Sequence, residues 1–145
     1  MSAAACVAWV RISPQSGQSH DVASLNLVEG RGIEGDRHAK PNKRNQVLLI
    51  ERETLEEFDL QPGDVRENIA TRGVELMRLR EGDRLRIGPD VELVASHACP
   101  PCGKMDALRD GLRQALEGRR GMLATVAGGG VITPGDAITI TRSPR

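Results

Sequence analysis

Cys99 and Cys102, separated by Pro100 and Pro101, are the residues of this chain whose type and spacing most directly permit chemistry. Proline holds φ at about −65° and donates no backbone hydrogen bond, so the segment is extended and Cys102 falls near the start of the amphipathic stretch over 105–116. The positive end of a helix dipole favours a thiolate, and a thiolate can act as a nucleophile, carry sulfur or bind a soft metal. A zinc site needs two further ligands, and the chain offers only Cys6, three histidines and scattered carboxylates. His97, two residues ahead of Cys99, is near enough to join a metal site, although a histidine ending an apolar strand more commonly serves the structure. A thioredoxin-like site needs parallel βαβ units, and the predicted strands are too closely spaced for crossover helices.

Two other clusters carry polar groups. Gly32-Ile33-Glu34-Gly35-Asp36-Arg37-His38 combines glycines with carboxylate, guanidinium and imidazole, a composition that lets a ligand approach the backbone; it is not a dinucleotide fingerprint. Glu67-Asn68-Ile69-Ala70-Thr71-Arg72-Gly73 adjoins the turn Pro62-Gly63-Asp64. Arg37, His38, Lys40, Lys43 and Arg44 surround Pro41 and read either as a solvated basic loop or as an anion clamp. Each cluster alone is compatible with turn chemistry; together with the cysteine pair they point to one shared pocket. No nucleophile elbow is present, and Gly128-Gly129-Gly130 lacks the Lys and Thr of a phosphate-binding loop and reads as a hairpin bend.

These residues must be positioned mainly by strands. The segments 6–12, 46–50, 84–87, 91–97, 123–127 and 137–141 are short, rich in Val, Ile and Leu, and bounded by Gly, Pro or Asp, which predicts a closed or partly closed β-barrel with small helices, a β-rich α+β fold. Gly82-Asp83 and Gly135-Asp136 each feed a strand with one apolar and one polar face. Helical periodicity appears over 51–58, with Leu55 and Phe58 on one face, and over 105–116, while 13–32 is polar and poor in periodicity.

The 145 residues fit one domain, 1–145. Lys plus Arg (20) balances Asp plus Glu (20), and Trp9 and Phe58 are the only aromatic side chains of their kinds beside an absence of Tyr, so nucleic acid is not an expected partner. The apolar run over 3–10 is stopped by Arg11, well short of a membrane span, and three cysteines suit a reducing compartment; a cytoplasmic protein is expected. Cys6, inside that run, reads as a small buried hydrophobe.

The order of motifs over 32–140 resembles the MOSC domain family, named for the C-terminal domain of molybdenum cofactor sulfurases. The resemblance rests on Gly32 to His38, Asn45-Gln46-Val47, Pro62-Gly63, Glu67-Asn68-Ile69, Thr71-Arg72-Gly73, Leu79-Arg80-Glu81-Gly82-Asp83, Pro101-Cys102, Arg120-Gly121, Gly130-Val131-Ile132 and Pro134-Gly135-Asp136. It implies a barrel of the MOSC or pyruvate-kinase β-barrel type and a sulfur-transferring or molybdenum-ligating cysteine, here Cys102. It also implies binding of the molybdenum cofactor (molybdopterin), with Gly35, Asp36, Arg37, His38, Asn68, Thr71 and Arg72 as cofactor-binding candidates. Family members include amidoxime-reducing molybdoenzymes and proteins of resistance to N-hydroxylated purines. Expected partners are therefore the pterin, a small N-oxygenated substrate, and a sulfur- or electron-donor protein. Sulfurases of the family add a pyridoxal-phosphate desulfurase module, so pyridoxal phosphate is an association of the family; this chain is expected to carry the MOSC domain alone. A non-catalytic cofactor-delivery module, or a dithiol protein using Cys99 with Cys102, are the alternatives.

Overall fold

Alternation of buried and exposed positions organises the chain around one strongly curled sheet. The computed structural model describes residues 4–41 and 43–144; Ala3, in the N-terminal apolar run, and Asn42, in the basic segment, lie outside them, as do the other ends of the expected 1–145 domain. The strands are β1 (Cys6–Ile12), β2 (His20–Asp21), β3 (Leu25–Val28), β4 (Gly32–Ile33), β5 (Val47–Glu51), β6 (Ile69–Arg72), β7 (Arg84–Ile87), β8 (Val91–Ala98), β9 (Met122–Gly128), β10 (Gly130–Ile132) and β11 (Ile138–Thr141). The helices are α1 (Arg52–Glu57), α2 (Gly103–Leu108) and α3 (Leu112–Ala115). Eight strands form one sheet in the order β11-β7-β8-β9-β5-β6-β1-β2, and β10-β3-β4 form a second. A bridge between Cys6 and Ala137 brings β1 back to the start of β11, so the sheet curls into a partly closed barrel.

The turns that set this curl repeat one device. Arg80 N–H donates to Asp83 Oδ2 at 2.8 Å, Thr133 N–H to Asp136 Oδ2 at 2.9 Å, and Gln61 N–H to Asp64 Oδ2 at 2.8 Å. In each, the aspartate bonds back across three residues and the preceding glycine takes a positive φ that other residues resist. The turns at Asp83 and Asp136 deliver β7 and β11, which pair with each other antiparallel.

Four expectations are corrected. The stretch 105–116 is two short helices, because Gly111 turns left-handed (φ 83°) after Arg109 leaves helical geometry, and Asp106 Oδ1 accepts from Arg113 N–H at 3.0 Å. Gly128-Gly129-Gly130 is no hairpin: β9 pairs with β8 and β10 with β3, so the chain passes between sheets there. A Cβ on Gly129 would sit 2.7 Å from Leu27 O, which explains the glycine. A parallel crossover does exist, since β5, α1 and β6 form one βαβ unit with Leu49 opposite Ile69. The segment 13–32 also contributes β2, β3 and the start of β4.

Period-2 alternation along β5 separates two cores. Val47 and Leu49 face the barrel interior with Val10, Ile69, Leu85, Leu93 and Ile132. Ile50 faces outward, where Leu55, Leu60, Val65, Met105, Leu112 and Leu116 form a second cluster with Trp9 and Phe58 against it. Helices of four to six residues are too short to persist alone, so this outer cluster is what holds them. No helix among the described residues is long and apolar enough to cross a membrane.

Candidate functional site

The cleft lies on the outer face of the sheet, beside the second core. Leu48 of β5 and Leu123 of β9 are cross-strand partners whose neighbours Leu49 and Met122 point into the barrel, so this pair faces out and forms the floor. Above it, α2, the turn after β4 and the loop before β6 enclose a cavity of about 440 Å³. That volume is within the range of small-molecule and cofactor sites.

Cys102 is the N-cap of α2, with an extended backbone (φ −127°, ψ 176°), its carbonyl accepting from Met105 N–H at 2.9 Å, and an exposed side chain. Cys99 is half-buried and follows directly on β8; its N–H donates to Gly121 O at 2.8 Å. Both thiols line the cleft. Burial pushes the Cys99 thiol up, Arg120 opposes that rise, and Cys102 adds to it. No turn or bend interrupts 99–102; at the rise of an extended proline segment, about 3.1 Å per residue, Cα atoms three residues apart would be about 9 Å apart. A disulfide needs Cα atoms within about 7 Å, so at that ideal spacing the dithiol alternative would require the backbone to move.

Asp36 organises the wall opposite. Its side chain is wholly buried; Oδ1 accepts from Ser13 N–H (2.7 Å) and Asn68 Nδ2 (3.2 Å), and Oδ2 from His38 N–H (3.1 Å) and His38 Nδ1 (3.3 Å). Burial pushes this carboxyl up, but the His38 side chain and the backbone donors of Ser13 and His38 outweigh it and hold its pKa below the ordinary value. The ionised carboxylate takes the proton-bearing Nδ1 of His38, which fixes the imidazole on the cleft wall beside Arg37. Gly35 (φ 86°) makes the turn that delivers Asp36 and does not itself line the cleft.

Asn68 reaches the cleft with its amide already engaged, accepting from Leu48 N–H (3.0 Å) and donating to Asp36 Oδ1 and Arg11 O. It fastens two walls to β5. Thr71 is buried with Oγ1 3.5 Å from Ile50 O, and Arg72 points Nη2 at Cys6 Sγ at 3.3 Å; both lie outside the cleft. Cys6 is buried as a small hydrophobe would be. The basic segment divides, with Arg37 and His38 on the cleft and Arg44 paired to Glu81. His97 is exposed at the end of β8 instead of serving the interior, and no three His, Cys, Asp or Glu side chains among the described residues group as a metal site.

The structure adds Arg66, Lys104 and Arg120 to the lining. Arg120 is 6% exposed; Nη2 donates to Val65 O at 2.7 Å, while Nε and Nη1 are buried without a partner. An unpaired buried guanidinium is costly, and one facing a cavity is a place for an anion. Gly121 puts it there: φ is 121°, and a Cβ would sit 2.5 Å from Leu49 O, so only glycine lets this segment press against β5. Arg66 has a left-handed backbone (φ 63°), unusual for a residue with a Cβ and a form of strain that concentrates at functional sites. Buried Glu67 holds that loop, its Oε2 accepting from Trp9 Nε1 and Gly63 N–H, each at 2.8 Å. In the sequence, Arg120 was visible as part of Arg120-Gly121, and Arg66 and Lys104 as neighbours of matched motifs; their convergence was not.

A family model described as MOSC domain matches residues 35–139. No curated protein matches the sequence. Among solved structures, the YuaD protein from Bacillus subtilis is similar with a TM-score of 0.83 at 19% identity, 97% of each chain being covered. YiiM from Geobacillus stearothermophilus gives 0.75 at 16% identity, covering 95% of this chain and 75% of that one. YiiM from Escherichia coli gives 0.68 at 20% identity, covering 95% and 70%. At these identities the likeness shows the fold.

Proposed function

The chain belongs to the MOSC domain family, which is associated with the molybdenum cofactor, and from that premise we propose that its cleft binds the cofactor and handles sulfur for it through Cys102. The observation that carries the reading is the meeting, in one cavity of about 440 Å³, of an exposed thiol with four cationic side chains, Arg37, Arg66, Lys104 and Arg120. None of the four is in an ion pair among the described residues, and Arg120 keeps two buried nitrogens unpartnered. The residues fit the group. A phosphorylated pterin calls for cationic donors, and a metal that arrives on its own dithiolene chelate needs one protein ligand, not the cluster of three that a protein-held ion requires.

In this reading Arg37, Arg66 and Lys104 hold the phosphate, the Leu48–Leu123 floor takes the flat ring system, and Cys102 offers its sulfur at the mouth. When bound, the cofactor supplies a molybdenum centre for sulfur or electron exchange. His38, with Nδ1 fixed by Asp36, stands on the wall as a proton donor or acceptor. Exposure of Cys102 lets a sulfur- or electron-donor protein reach it from solvent. The same exposure favours a second reading, a module that stores the cofactor and passes it on. Reduction of an N-hydroxylated compound by loaded protein under a chemical electron donor marks the enzyme, and transfer without turnover marks the carrier.

Titration of the purified protein with isolated cofactor under anaerobic conditions tests the binding. One equivalent is expected to bind, with the double substitution Arg66→Ala, Lys104→Ala weakening it at least tenfold, about 1.4 kcal/mol. Unchanged affinity in that variant would remove the assigned phosphate site.

A further inference from the structure

We propose that the cleft is a two-thiol sulfur relay, in which Cys102 at the mouth receives sulfane sulfur and passes it inward to Cys99, beside the buried guanidinium of Arg120. The relay rests on the reading of Cys102 as the sulfur-bearing residue and adds an acceptor and a direction.

Two observations and the geometry expected of a proline segment converge. The first is placement: both thiols line one cavity, Cys102 exposed and Cys99 half-buried, and an extended proline segment repeats every three residues, so side chains three apart project to the same side. The second is the anion seat. Cys99 N–H is bonded to Gly121 O, which ties Cys99 next to the residue following Arg120, and Arg120 is nine-tenths buried with Nε and Nη1 unpartnered. Burial works against a charge on Cys99 and Arg120 works for it, so an anionic sulfur at this position has its counter-charge already in place. The third is spacing. At the rise of an extended proline segment, Cα atoms three residues apart would be about 9 Å apart, beyond the about 4.4–6.8 Å that a direct disulfide needs. Sulfur transfer puts a third sulfur, about 2 Å more, between the two thiols and comes within side-chain rotation of that spacing. Pro100 and Pro101 therefore permit transfer and block the short circuit that would discharge the persulfide as hydrogen sulfide.

The chemistry balances without an oxidant. A persulfide donor R–S–SH loads Cys102: the Cys102 thiolate attacks the outer sulfur, the donor S–S bond breaks, and the donor leaves as thiolate. The Cys99 thiol gives its proton to cleft water and attacks the outer sulfur of the Cys102 persulfide. A new S–S bond forms at Cys99, the bond at Cys102 breaks, and the Cys102 thiolate takes up a proton. The transferred sulfur keeps its oxidation state throughout. The product persulfide ionises against Arg120.

The test loads reduced protein anaerobically with inorganic polysulfide, quenches with an alkylating reagent over a time series, and locates the extra sulfur by fragment-ion mass spectrometry. In wild type, label is expected on Cys102 first and then mainly on Cys99. In Cys99→Ser it stays on Cys102, and in Cys102→Ser labelling of Cys99 slows at least tenfold. Arg120→Met should load Cys102 normally and cut the Cys99 share at least fivefold, with Arg120→Lys restoring most of it; a urea midpoint for each variant excludes misfolding. Label confined to Cys102 in wild type, labelling of Cys99 at the wild-type rate in Cys102→Ser, or a Cys99–Cys102 disulfide as the main product would overturn the relay and leave the sulfur-bearing role of Cys102 standing. An unchanged Cys99 share in Arg120→Met would overturn the anion seat. No extra sulfur on any cysteine would overturn both the relay and the sulfur-handling reading beneath it.

Discussion

Replacing Asp36 with Asn should release His38 on the cleft wall and destabilise the fold by an amount that depends on pH. The carboxylate accepts four hydrogen bonds, two at each oxygen, and its side chain has no solvent exposure. An amide keeps one acceptor oxygen, and its NH₂ then faces two donors. The better bonded oxygen stays with Ser13 and Asn68, so the bonds lost are those from His38 at 3.1 and 3.3 Å. Hydrogen bonds to a charged group contribute about 1.5–3 kcal/mol each, and the half-buried imidazole regains some of this from water, which places the loss at about 2–3 kcal/mol at neutral pH. Because the folded pKa of Asp36 lies below the ordinary value, the unfolded chain binds the proton more readily. The contribution is complete above the unfolded pKa, about 3.9, and is lost as pH falls through that value and on through the folded one. Urea unfolding of wild type and Asp36→Asn, followed by Trp9 fluorescence from pH 7 to pH 3, measures the difference, in which the other carboxylates cancel. The gap should be full at pH 7 and narrow below about pH 4. A gap that stays constant, or widens on acidification, would refute the assignment of Asp36 as an ionised hub.

Gly121→Ala forces a Cβ to within 2.5 Å of Leu49 O at a φ of 121° and should cost about 3 kcal/mol or more in chemical denaturation. Arg66→Gly relieves a left-handed backbone worth about 1–2 kcal/mol while adding unfolded-state entropy of about 0.5–1 kcal/mol, so stability should move by less than about 1 kcal/mol as cofactor affinity falls; equal affinity would deny Arg66 a binding role. Alkylation at pH 8 should modify exposed Cys102 well before Cys99, whose rate climbs only above the ordinary thiol range because burial pushes it up; equal rates at pH 8 would contradict the burial described here.

Local pattern carried the barrel strands further than it carried their pairing. Strands β1 and β7 lie where their apolar spacing and turn residues put them. Strand β3 has the same alternation, with Leu25 and Leu27 buried, but only four residues of it inside a polar stretch. Strand β6 offers only Ile69 and Ala70 as an apolar signal and owes its central position to parallel pairing with β5, a contact that no local window contains. In the site, Cys102, Arg37 and His38 were readable as cleft candidates because thiol, guanidinium and imidazole recur in separate local clusters that point to one shared pocket. Thr71 and Arg72 follow Asn68 closely in sequence, yet a strand rising about 3.3 Å per residue carries them roughly 10–13 Å away from it. Arg120 could not be read as the innermost cation, because its burial depends on Gly121 meeting Leu49, seventy-odd residues earlier in the chain, at about van der Waals contact.

The most direct test of the central claim is the molybdenum and oxidised-pterin content of protein purified from a cofactor-producing host, wild type beside Cys102→Ser. Cys102 is exposed, so serine there should leave stability within about 0.5 kcal/mol. The account predicts pterin and molybdenum with the wild type and at least a tenfold loss of molybdenum in the variant. Neither in the wild type, or equal amounts in both, would contradict it.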